Sequence, residues 1–414
     1  MVVLRIRRSA AAICRRAGAT GSRVGARSGA DVRVLHVFGR LDRGGAELRT
    51  LDVIRATVDE PVHHEFICLS GLPGALDDDF RAAGAVIHYL PLSLRFPCGL
   101  ARLLRARRIT ILHSHVHFFS GGLVMLAAMV GVPTRIVHFR STHDGQPDTP
   151  LRELSRSGQR FLIRRFATEI LAVNTGAMDA WSKDWRADVR CRVVLNGLNT
   201  GEFASAIHDP LTRIELGVAG DGAIVAFIGR FDPIKRPELA LRAFALTGSH
   251  PWLVCAGAVT PSHRASFLSL ADELGVDDRV VLLGLRDDVA RVVAVADVVI
   301  MTSGIEGLPG VVLEALAGGC RVVAARLPGT VEIAEHLDGV TLVEPDAPPE
   351  VWAGNLDAVL QDVAKTSGDP SIRSKRHEAF CRSPFTVARA AEALTGIWSG
   401  NTLRAATSNG STPS

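Results

Sequence analysis

The chain has 414 residues, more than a single hydrophobic core usually organises, so two domains are expected. Hydrophobic residues make up 47% of it and aromatic residues only 5%, so the interior is built mainly from Val, Leu, Ile and Ala, as in α/β proteins. The net charge is only +4, and residues 1–30 alone carry seven arginines, which argues against a nucleic-acid-binding surface on the folded part.

Residues 1–30 contain no Asp or Glu, and their arginines surround the short apolar stretch from Ala10 to Ile13. This stretch is too short for the hydrophobic region of a secretory signal peptide. The composition predicts a disordered basic arm. Weak association with anionic lipid headgroups and organellar targeting stay open as alternatives.

From Val32 onward, short β-branched runs alternate with longer amphipathic segments, the pattern of parallel strands joined by helices. The strands predicted in the first series are Val32–Phe38, His64–Leu69, Val86–Leu92, Ile111–His115, Arg135–Arg140 and Glu169–Asn174, with a seventh run at Arg192–Leu195. The polar, turn-rich segment from Thr200 to Gly222 predicts a domain junction.

A second series of strands repeats the pattern after this junction. Its members are Ala223–Ile228, Trp252–Ala256, Arg279–Leu283, Val298–Thr302, Arg321–Ala325 and Val340–Val343. We therefore predict two Rossmann-like α/β domains, 31–200 and 201–370, then helices in 371–399 that pack back on the first domain and a disordered tail at 400–414. Ligands of such sheets bind beyond the carboxyl ends of the strands, so the loops that follow strands should carry the site.

The seven cysteines form no CxxC pair, and several lie in apolar runs, which is typical of buried thiols in a reducing compartment. No apolar run is long enough to span a bilayer. We expect a cytoplasmic protein, with a peripheral position at a membrane left open.

The strongest signal follows the fourth strand of the second series, where seven residues separate the carboxylates Glu306 and Glu314. Pro309 suits the first turn of a helix, and a helix start offers free N–H groups and a positive dipole end to a phosphate or a sugar. Glu306 is suited to accept hydrogen bonds from sugar hydroxyls and Glu314 to hold two ribose hydroxyls. The alternative, two solvated carboxylates, is less favoured because Glu314 has apolar neighbours in the sequence.

A second signal ends the first strand of the second series. Gly229 allows close backbone approach, and Arg230 and Lys235 supply two cations just beyond the strand. Arg grips a diphosphate through two N–H groups, and Lys adds a compact charge. Such cations are often only solvated surface groups, but their predicted proximity to the two glutamates favours a diphosphate site.

Together these elements resemble those of the retaining glycosyltransferases of the GT-B fold, in the large group that includes sucrose synthases, glycogen synthases and many bacterial polysaccharide enzymes. The resemblance rests on the E-x7-E element from Glu306 to Glu314, the G-R-x4-K element from Gly229 to Lys235, and the segment Val193–Gly197. It extends from about Val32 to Ser399. It implies two Rossmann-like domains that face each other across a cleft, the second of which binds a nucleotide diphosphate-sugar.

The resemblance also implies roles for particular residues. Arg230 and Lys235 would bind the donor diphosphate, and Glu306 and Glu314 would contact the donor sugar and the ribose. Further donor contacts would come from Gly229, Leu285, Arg286, Gly307, Leu308, Pro309, Gly310 and Val311. In the first domain, Gly44 and Gly45 form a turn that leads into a helix, and in enzymes of this kind the loop with this turn faces the donor phosphates. A Gly-Gly turn alone is weak evidence for such a site.

Two groups of histidines raise the question of a metal: His113, His115 and His117, and then His138 and His143. His113, His115 and His117 alternate and so share one face of a predicted strand, but no carboxylate or thiol accompanies them, and we expect no metal site. The resemblance likewise implies catalysis without a metal. Family members place a His at the end of the fifth strand, where this chain has Arg140, with His138 two residues earlier; both could contact the donor sugar.

The predicted activity is transfer of a sugar from a nucleotide diphosphate-sugar to an acceptor hydroxyl, with retained anomeric configuration. Arg230, Lys235 and nearby amides would stabilise the leaving phosphate, and the nucleotide sugar is a co-substrate, so no cofactor is expected. The acceptor, a sugar, a lipid-linked sugar or a small metabolite, is open, as is a role in cell-envelope or exported polysaccharide or glycoconjugate synthesis. The alternatives are a sugar-nucleotide 2-epimerase and a catalytically silent nucleotide-sugar-binding scaffold.

Overall fold

The computed structural model describes residues 32–143, 149–209, 211–366 and 371–400. The predicted basic arm at 1–30 and all but the first residue of the predicted tail at 400–414 lie outside the described residues. Among the helices of the described part, none is both long enough and apolar enough to cross a membrane.

Seven strands of the first half form one parallel sheet. They are β1 (Val32–Phe38), β2 (Val62–Cys68), β3 (Val86–Tyr89), β4 (Ile111–Ser114), β5 (Thr134–Phe139), β6 (Glu169–Ala172) and β7 (Cys191–Val193). They lie in the order β3-β2-β1-β4-β5-β6-β7, so the chain winds outward from β1 in both directions. In a sheet of this order the loops that follow β1 and β4 flank the point where the winding reverses, which is where ligands bind.

Six strands of the second half form a second parallel sheet. They are β8 (Ile224–Ile228), β9 (Trp252–Ala256), β10 (Val280–Gly284), β11 (Val298–Met301), β12 (Arg321–Ala325) and β13 (Val340–Val343). Their order, β10-β9-β8-β11-β12-β13, repeats that of the first sheet. The second reversal point therefore lies between β8 and β11, the strands that precede the two predicted motifs.

Helices connect the strands and cover both sheets. In the first half they are α1 (Gly45–Ala56), α2 (Asp77–Ala82), α3 (Phe96–Ala106), α4 (Ser120–Val130), α5 (Pro150–Phe166) and α6 (Thr175–Trp181), with 3-10 turns at His117–Phe119 and Trp185–Ala187. In the second half they are α7 (Gly201–His208), α8 (Arg213–Leu216), α9 (Pro237–Ala245), α10 (Pro261–Glu273), α11 (Val289–Val295), α12 (Gly310–Ala317), α13 (Pro328–His336), α14 (Pro349–Thr366), α15 (Ser371–Cys381) and α16 (Val387–Trp398), with a 3-10 turn at Asp277–Arg279.

Every predicted strand is present, most of them within two residues of the predicted bounds. The third run was predicted too long, because the strand ends at Tyr89 and the chain then turns through Pro91. The predicted junction at 200–222 contains the short helices α7 and α8. Phe203 and Leu216 are buried in the core of the second half, so this segment is part of a folded layer and more than a polar turn.

The two faces of the first sheet bury different helices. Apolar residues of α3, α4, α5 and α6 pack together with β4 and β5 on one face. Helix α16 covers the other face beside α1, where Leu394 and Trp398 pack with Val34 and Val53. The last helix of the chain thus completes the first half.

Helix α15 does not follow this arrangement. It packs against α12 and α7 in the second half, and Phe380 is fully buried there. The expectation that all of 371–399 returns to the first domain is therefore wrong for α15. A polar helix with a buried Phe near its end gives no sequence signal of which core will receive it.

Candidate active site

The two motifs of the second half meet between β8 and β11. Lys235 Nζ, in the loop after β8, lies 2.5 Å from Glu306 Oε1, in the loop after β11. Both side chains are largely buried, so the charges attract each other in a medium of lowered dielectric constant. The predicted proximity of the G-R-x4-K and E-x7-E elements is therefore present in the fold.

Local hydrogen bonds hold the loop after β8 in shape. The carboxylate of Asp232 accepts the backbone N–H groups of Ile234 and Lys235, and Thr302 Oγ1 donates to the carbonyl of Lys235 at 2.9 Å. Arg236 takes a left-handed conformation, with φ 51°, immediately before Pro237 begins α9. The loop is thus fixed by its own side chains and by Thr302 at the end of β11.

Arg230 is the exposed cation of this loop. Its Nε lies 3.1 Å from Asp232 Oδ2, and its side chain is 62% exposed. An exposed ion pair contributes little to folding. The guanidinium is therefore available to an anionic ligand at small structural cost.

Glu314 lies one turn inside α12 and contacts the first half of the chain. Its Oε1 is 3.3 Å from Arg49 Nη2 on α1. Burial raises the pKa of Glu314, and Arg49 opposes the rise. Asp52 and Glu202 also have raised pKa values, chiefly through burial, so Arg49 is the cation shared by three crowded carboxylates.

The segment that joins the two glutamates packs against the first half. Pro309 caps α12, and Leu308 is buried in the core. A Cβ at Gly307 would clash with the carbonyl oxygen of Arg140, so only glycine fits this contact. Gly310 faces no such obstruction, and its nearest neighbour is the Glu314 carboxylate.

Hydrogen bonds between the halves continue beside Gly307. Asn174 Nδ2 donates to the carbonyl of Gly307 at 2.6 Å, and the N–H of Thr175 donates to Glu332 Oε2 at 2.8 Å. Asn174 also caps α6. The carboxyl edges of both sheets therefore face each other and touch at backbone level.

The glycine turn after β1 opens α1 as predicted, with Gly44 at the N-cap and Gly45 as the first helical residue. The carboxylate of Glu47, in the first turn, folds back over Gly44 and accepts its own backbone N–H. Burial raises its pKa, and Arg140 and Arg230 lower it. The Glu47 carboxylate thus lies close to the start of α1, to Arg140 and to Arg230.

Leu285 and Arg286, two of the donor contacts that the resemblance implies, follow β10 at the far side of this edge. Leu285 is exposed, and the Arg286 guanidinium forms two hydrogen bonds of 2.6 Å with Asp288. The loops after β8, β9 and β10 meet through Gly257, whose N–H donates to the carbonyl of Gly284 and whose Cα approaches the carbonyl of Gly229 too closely for any side chain. Gly257 is a site component that no sequence motif indicated.

Five histidines on four adjacent strands form a cluster in the first half, which we call the histidine array; four of them are buried and His115 is half-buried. Its members are His36 on β1, His64 on β2, His113 and His115 at β4, and His138 on β5. Burial holds the pKa values of all five well below the usual range, to about 4 for His64. The rings are therefore neutral near neutral pH.

Two obligatory donors fix the proton positions of the histidine array. Arg140 Nε donates to His115 Nδ1, so His115 carries its proton on Nε2 and donates to His36, which in turn donates to His64. In the same way, Trp398 Nε1 donates to His113, which donates to His138. Each chain ends at an N–H, His64 Nε2 or His138 Nε2, that finds no hydrogen-bond partner within the described part of the molecule.

This proton arrangement bears on metal binding. The nitrogens of His36, His113 and His115 lie within 4.8 Å of one another, close enough to share a metal ion. However, a neutral ring that accepts a hydrogen bond on Nδ1 has its other nitrogen protonated and cannot ligate through it. The geometry thus disfavours a metal at these three rings, and the absence of a metal stays a prediction.

Arg140 lies where the histidine array meets the cleft. Its Nη1 donates to Asn196 Oδ1 at 2.8 Å and its Nη2 to Thr50 Oγ1 at 2.9 Å. Burial lowers its pKa to about 10, and the nearby charge of Glu47 works against that shift. Its hydrogen-bond acceptors are all neutral, so this cation has spare capacity for an anion.

Two sequence expectations about these side chains are corrected. His138 is fully buried and bonded to His113, so it does not reach the cleft, and Arg140 is the one of the pair beside Gly307. His117 does not share a face with His113 and His115. The strand ends at Ser114, and the 3-10 turn at His117–Phe119 directs the His117 ring against Phe118 and Phe139.

A cavity of about 930 Å³ opens between the halves next to Glu306. It is lined on one side by Thr142, His143 and α6 and on the other by residues 304–306 and α13. A second cavity of about 230 Å³ continues from it past Ala180 to the aromatic residues Phe118, Phe139 and Trp181. Together they offer space for a second ligand beside the two motifs.

Sequence reasoning missed several residues of this site. Asn174 and Glu47 lie at helix starts that follow strands of the first half, the region where a site was expected, and Arg49 lies in the second turn of α1. Glu47 stands three residues after Gly44, a spacing typical of a residue that caps its own helix. Arg49 and Asn174 act on Glu314 and Gly307, contacts that only the folded chain brings together.

Two family models match this chain, one in each half. The model described as "Glycosyl transferase 4-like domain" matches residues 44–197, and the model described as "Glycosyl transferases group 1" matches residues 222–362. The two matched ranges contain every strand of the two parallel sheets except β1.

Several similar proteins align with most of this chain. The capsular polysaccharide biosynthesis glycosyltransferase CapH of Staphylococcus aureus is 25% identical, over 90% of this chain and 100% of its own length. The D-inositol 3-phosphate glycosyltransferase of Mycobacterium ulcerans is 30% identical, over 85% of this chain and 78% of its own length. The crystal structure of HepE from Anabaena with UDP and glucose superposes with a TM-score of 0.72 at 20% identity, over 89% of this chain and 99% of HepE.

Proposed function

This chain belongs to the family of glycosyl transferases group 1, and from that premise we propose that it transfers a sugar from a nucleotide diphosphate-sugar to an acceptor hydroxyl. The predicted GT-B fold and the glycosyltransferase class are confirmed by these relatives and by the two-sheet architecture. The donor, the stereochemistry and the acceptor form the proposal.

The observation that carries the proposal is the contact between Lys235 and Glu306. It brings a cation from one strand end and a carboxylate from another to a single point, beside the start of α12. Arg230 stands exposed in the same loop as Lys235. A diphosphate would be held by the two cations, while the carboxylate, paired with Lys235, accepts hydrogen bonds from sugar hydroxyls.

The reaction follows from where negative charge develops. As the bond from the sugar to the diphosphate breaks, charge grows on the leaving oxygen, and Arg230, Lys235 and the free N–H groups of α12 would stabilise it. The acceptor hydroxyl attacks from the same face and gives its proton to the departing phosphate. This retains the anomeric configuration and requires neither a metal nor a cofactor.

The acceptor would enter through the large cavity between the halves, because this cavity reaches Glu306 while neither Arg230 nor Lys235 lines it. HepE, of similar fold, has been crystallised with UDP and with UDP-glucose, which supports a nucleotide-sugar donor here. CapH acts in capsular polysaccharide biosynthesis, which supports a cell-envelope or exported glycan as product. The buried free thiols fit a cytoplasmic enzyme.

The first test is a thermal-shift screen against UDP, GDP, ADP and their common sugar conjugates. A ligand that binds only the native state raises the melting temperature, so one nucleotide family should stabilise the protein. Arg230→Ala should abolish that shift, whereas Arg242→Ala, an exposed arginine on α9 of the same half, should keep it.

The stabilising donor is then incubated with and without candidate acceptors, and the products are examined by NMR. An α-linked donor should give an α-linked product. Conversion of the sugar without any acceptor would indicate the epimerase instead. Donor binding with no turnover for any acceptor would indicate the silent scaffold.

A further inference from the structure

Helices α3, α4 and α5 form one continuous outer layer of the first half, on the face opposite α1 and α16. This layer has an unusual charge. Residues 80–143, which include α3 and α4, contain eight arginines and no Asp, Glu or Lys. Helix α5 adds five arginines against a single glutamate, Glu153.

Several arginines of these segments are already engaged. Arg81 and Arg107 form ion pairs with Asp78 and Glu65, and Arg135 donates to backbone carbonyls. The exposed arginines that give the layer its positive surface are Arg95, Arg102, Arg105, Arg108, Arg152, Arg164 and Arg165. A single-sign field of this kind attracts anionic partners and repels a second copy of the same face.

Large apolar side chains project between these arginines. Six of them have more than half of their surface exposed: Leu92, Leu94, Met129, Leu151, Leu154 and Phe161. Leu151, Leu154 and Phe161 share one solvent-facing side of α5, since their spacing follows the helical repeat. A helix face of leucine and phenylalanine flanked by arginines is typical of segments that lie in the headgroup region of a bilayer.

The apolar residues concentrate at the edge that carries the cleft. Leu92 and Leu94 follow β3, and Leu151 and Leu154 lie in the first turns of α5. Strands β3 and β5 are parallel, so these residues belong to the same carboxyl edge of the sheet. Directly beneath the start of α5 lies the aromatic cavity, which continues to Glu306.

We propose that the outer layer of α3, α4 and α5 docks on an anionic lipid bilayer, with Leu92, Leu94, Leu151 and Leu154 inserted among the headgroups. The cleft would then open beside the membrane surface, and a lipid-linked acceptor would reach Glu306 through the aromatic cavity without leaving the bilayer. A soluble polyanion would account for the arginines but not for the exposed leucines. This inference extends the proposed function by naming how the acceptor is presented.

The experiment is co-sedimentation of the full chain with vesicles, without donor or acceptor. Vesicles of phosphatidylcholine are compared with vesicles that contain about 30% phosphatidylglycerol, a headgroup charge that attracts each surface arginine. We expect the protein to partition at least about tenfold more strongly onto the anionic vesicles, and added salt to weaken this binding.

Two variants test the surface, each with a matched control. Leu151→Ser with Leu154→Ser removes the apolar contact, and Arg102→Glu with Arg105→Glu reverses two charges; each should weaken binding about tenfold or more. Ile214→Ser, at a similarly exposed apolar residue of α8, and Arg382→Glu with Arg389→Glu, in the turn after α15 and on α16, should bind like the unmodified chain. A third variant, with Arg5, Arg7, Arg8, Arg15 and Arg16 changed to Gln, should also retain binding.

Binding that survives both surface variants but is lost in this third variant would overturn the proposal. The proposal would also be overturned if the Leu151→Ser, Leu154→Ser variant bound anionic vesicles normally and the unmodified chain bound dextran sulfate as well as it binds vesicles. A soluble polyanion would then be the partner. A change confined to the sedimentation coefficient in solution would indicate self-association instead. The nucleotide thermal shift, measured without vesicles, reports separately on the proposed function.

Discussion

Lys235 Nζ and Glu306 Oε1 lie 2.5 Å apart although 71 positions separate them in the chain. The pair is largely buried, so removing one partner leaves the other charge uncompensated, which is more costly than removing both. The site therefore depends on a two-residue unit whose members cannot be assessed singly.

A double-mutant cycle of Lys235→Met and Glu306→Gln tests this unit. Each single variant should lower the free energy of unfolding by about 1–3 kcal/mol, and the double variant by less than the sum. Each single variant should also lose at least about a hundredfold in turnover. Urea unfolding and steady-state kinetics of the four proteins give both quantities, and strictly additive stabilities would show that the pair does not act as a unit.

Glu314 has two candidate partners, Arg49 across the cleft and the donor ribose. If it holds the ribose, the nucleotide found by thermal shift should bind more tightly than its 2′-deoxy analogue, and Glu314→Gln should shrink that preference about tenfold. Arg49→Gln should weaken both ligands alike and keep the preference. Titration calorimetry measures the affinities of the three proteins for both ligands. Loss of the preference in both variants, or in neither, would reduce Glu314 to a bridge between the halves.

Gly307→Ala should disturb the contact between the two halves. The added Cβ meets the carbonyl oxygen of Arg140, a backbone atom that cannot rotate away, so we expect a loss of about 1–3 kcal/mol in the free energy of unfolding and a higher KM for the donor. Gly354→Ala in α14 meets no atom within 4 Å and should be neutral or slightly stabilising. Thermal denaturation of both variants, with donor kinetics for Gly307→Ala, checks this; a Gly307→Ala protein as stable as Gly354→Ala would contradict it.

The histidine array predicts that the protein is destabilised by mild acid. His64 has a pKa of about 4 in the folded chain and an ordinary value of 6.5, so between these values the unfolded chain binds the proton that the folded chain excludes. The contribution of neutral His64 to the free energy of unfolding is therefore complete above pH 6.5 and is lost as the pH falls toward 4. From pH 7.5 to 5 this single residue should remove about 2 kcal/mol.

The other four buried rings add to this loss in the same direction. The raised pKa values of Glu47, Asp52, Glu202 and Glu314 act oppositely, because their burial favours the protonated form and their penalty grows as the pH rises. Denaturant titrations at several pH values should therefore show stability rising from pH 5 to 7. His64→Gln should flatten that slope, and the exposed His263→Gln should not.

The fold could be predicted from the sequence because parallel strands that are buried on both faces appear as continuous apolar runs. The runs at Val298–Met301 and Arg321–Ala325 can be recognised as strands from the local sequence alone. The two motifs could be placed because each follows a strand whose carboxyl end must face the cleft. The histidine array could not be predicted. His36, His64 and His138 lie on three different strands that are far apart in the sequence. Each looks like an isolated residue until the strand order β2-β1-β4-β5 brings them together.

The contacts between the halves were also beyond sequence reasoning. Arg49 and Glu314 are 265 positions apart, and no periodicity relates one sheet to the other. The position of Arg140 at the end of β5 was visible in the sequence, but the environment of its side chain was not. Only the fold shows that Thr50, Asn196 and His115 supply its acceptors.

The fixed direction of the proton chain has a consequence for that arginine. Starting from Arg140, every imidazole in the chain through His115 and His36 to His64 turns its lone pair toward the guanidinium and its N–H away from it. The ring dipoles are therefore aligned, with their negative ends toward the charge. These aligned, uncharged rings stabilise the buried guanidinium charge through dipoles that are already oriented. Because they carry no negative charge, they leave the cation able to pair with an anion that enters from the cleft.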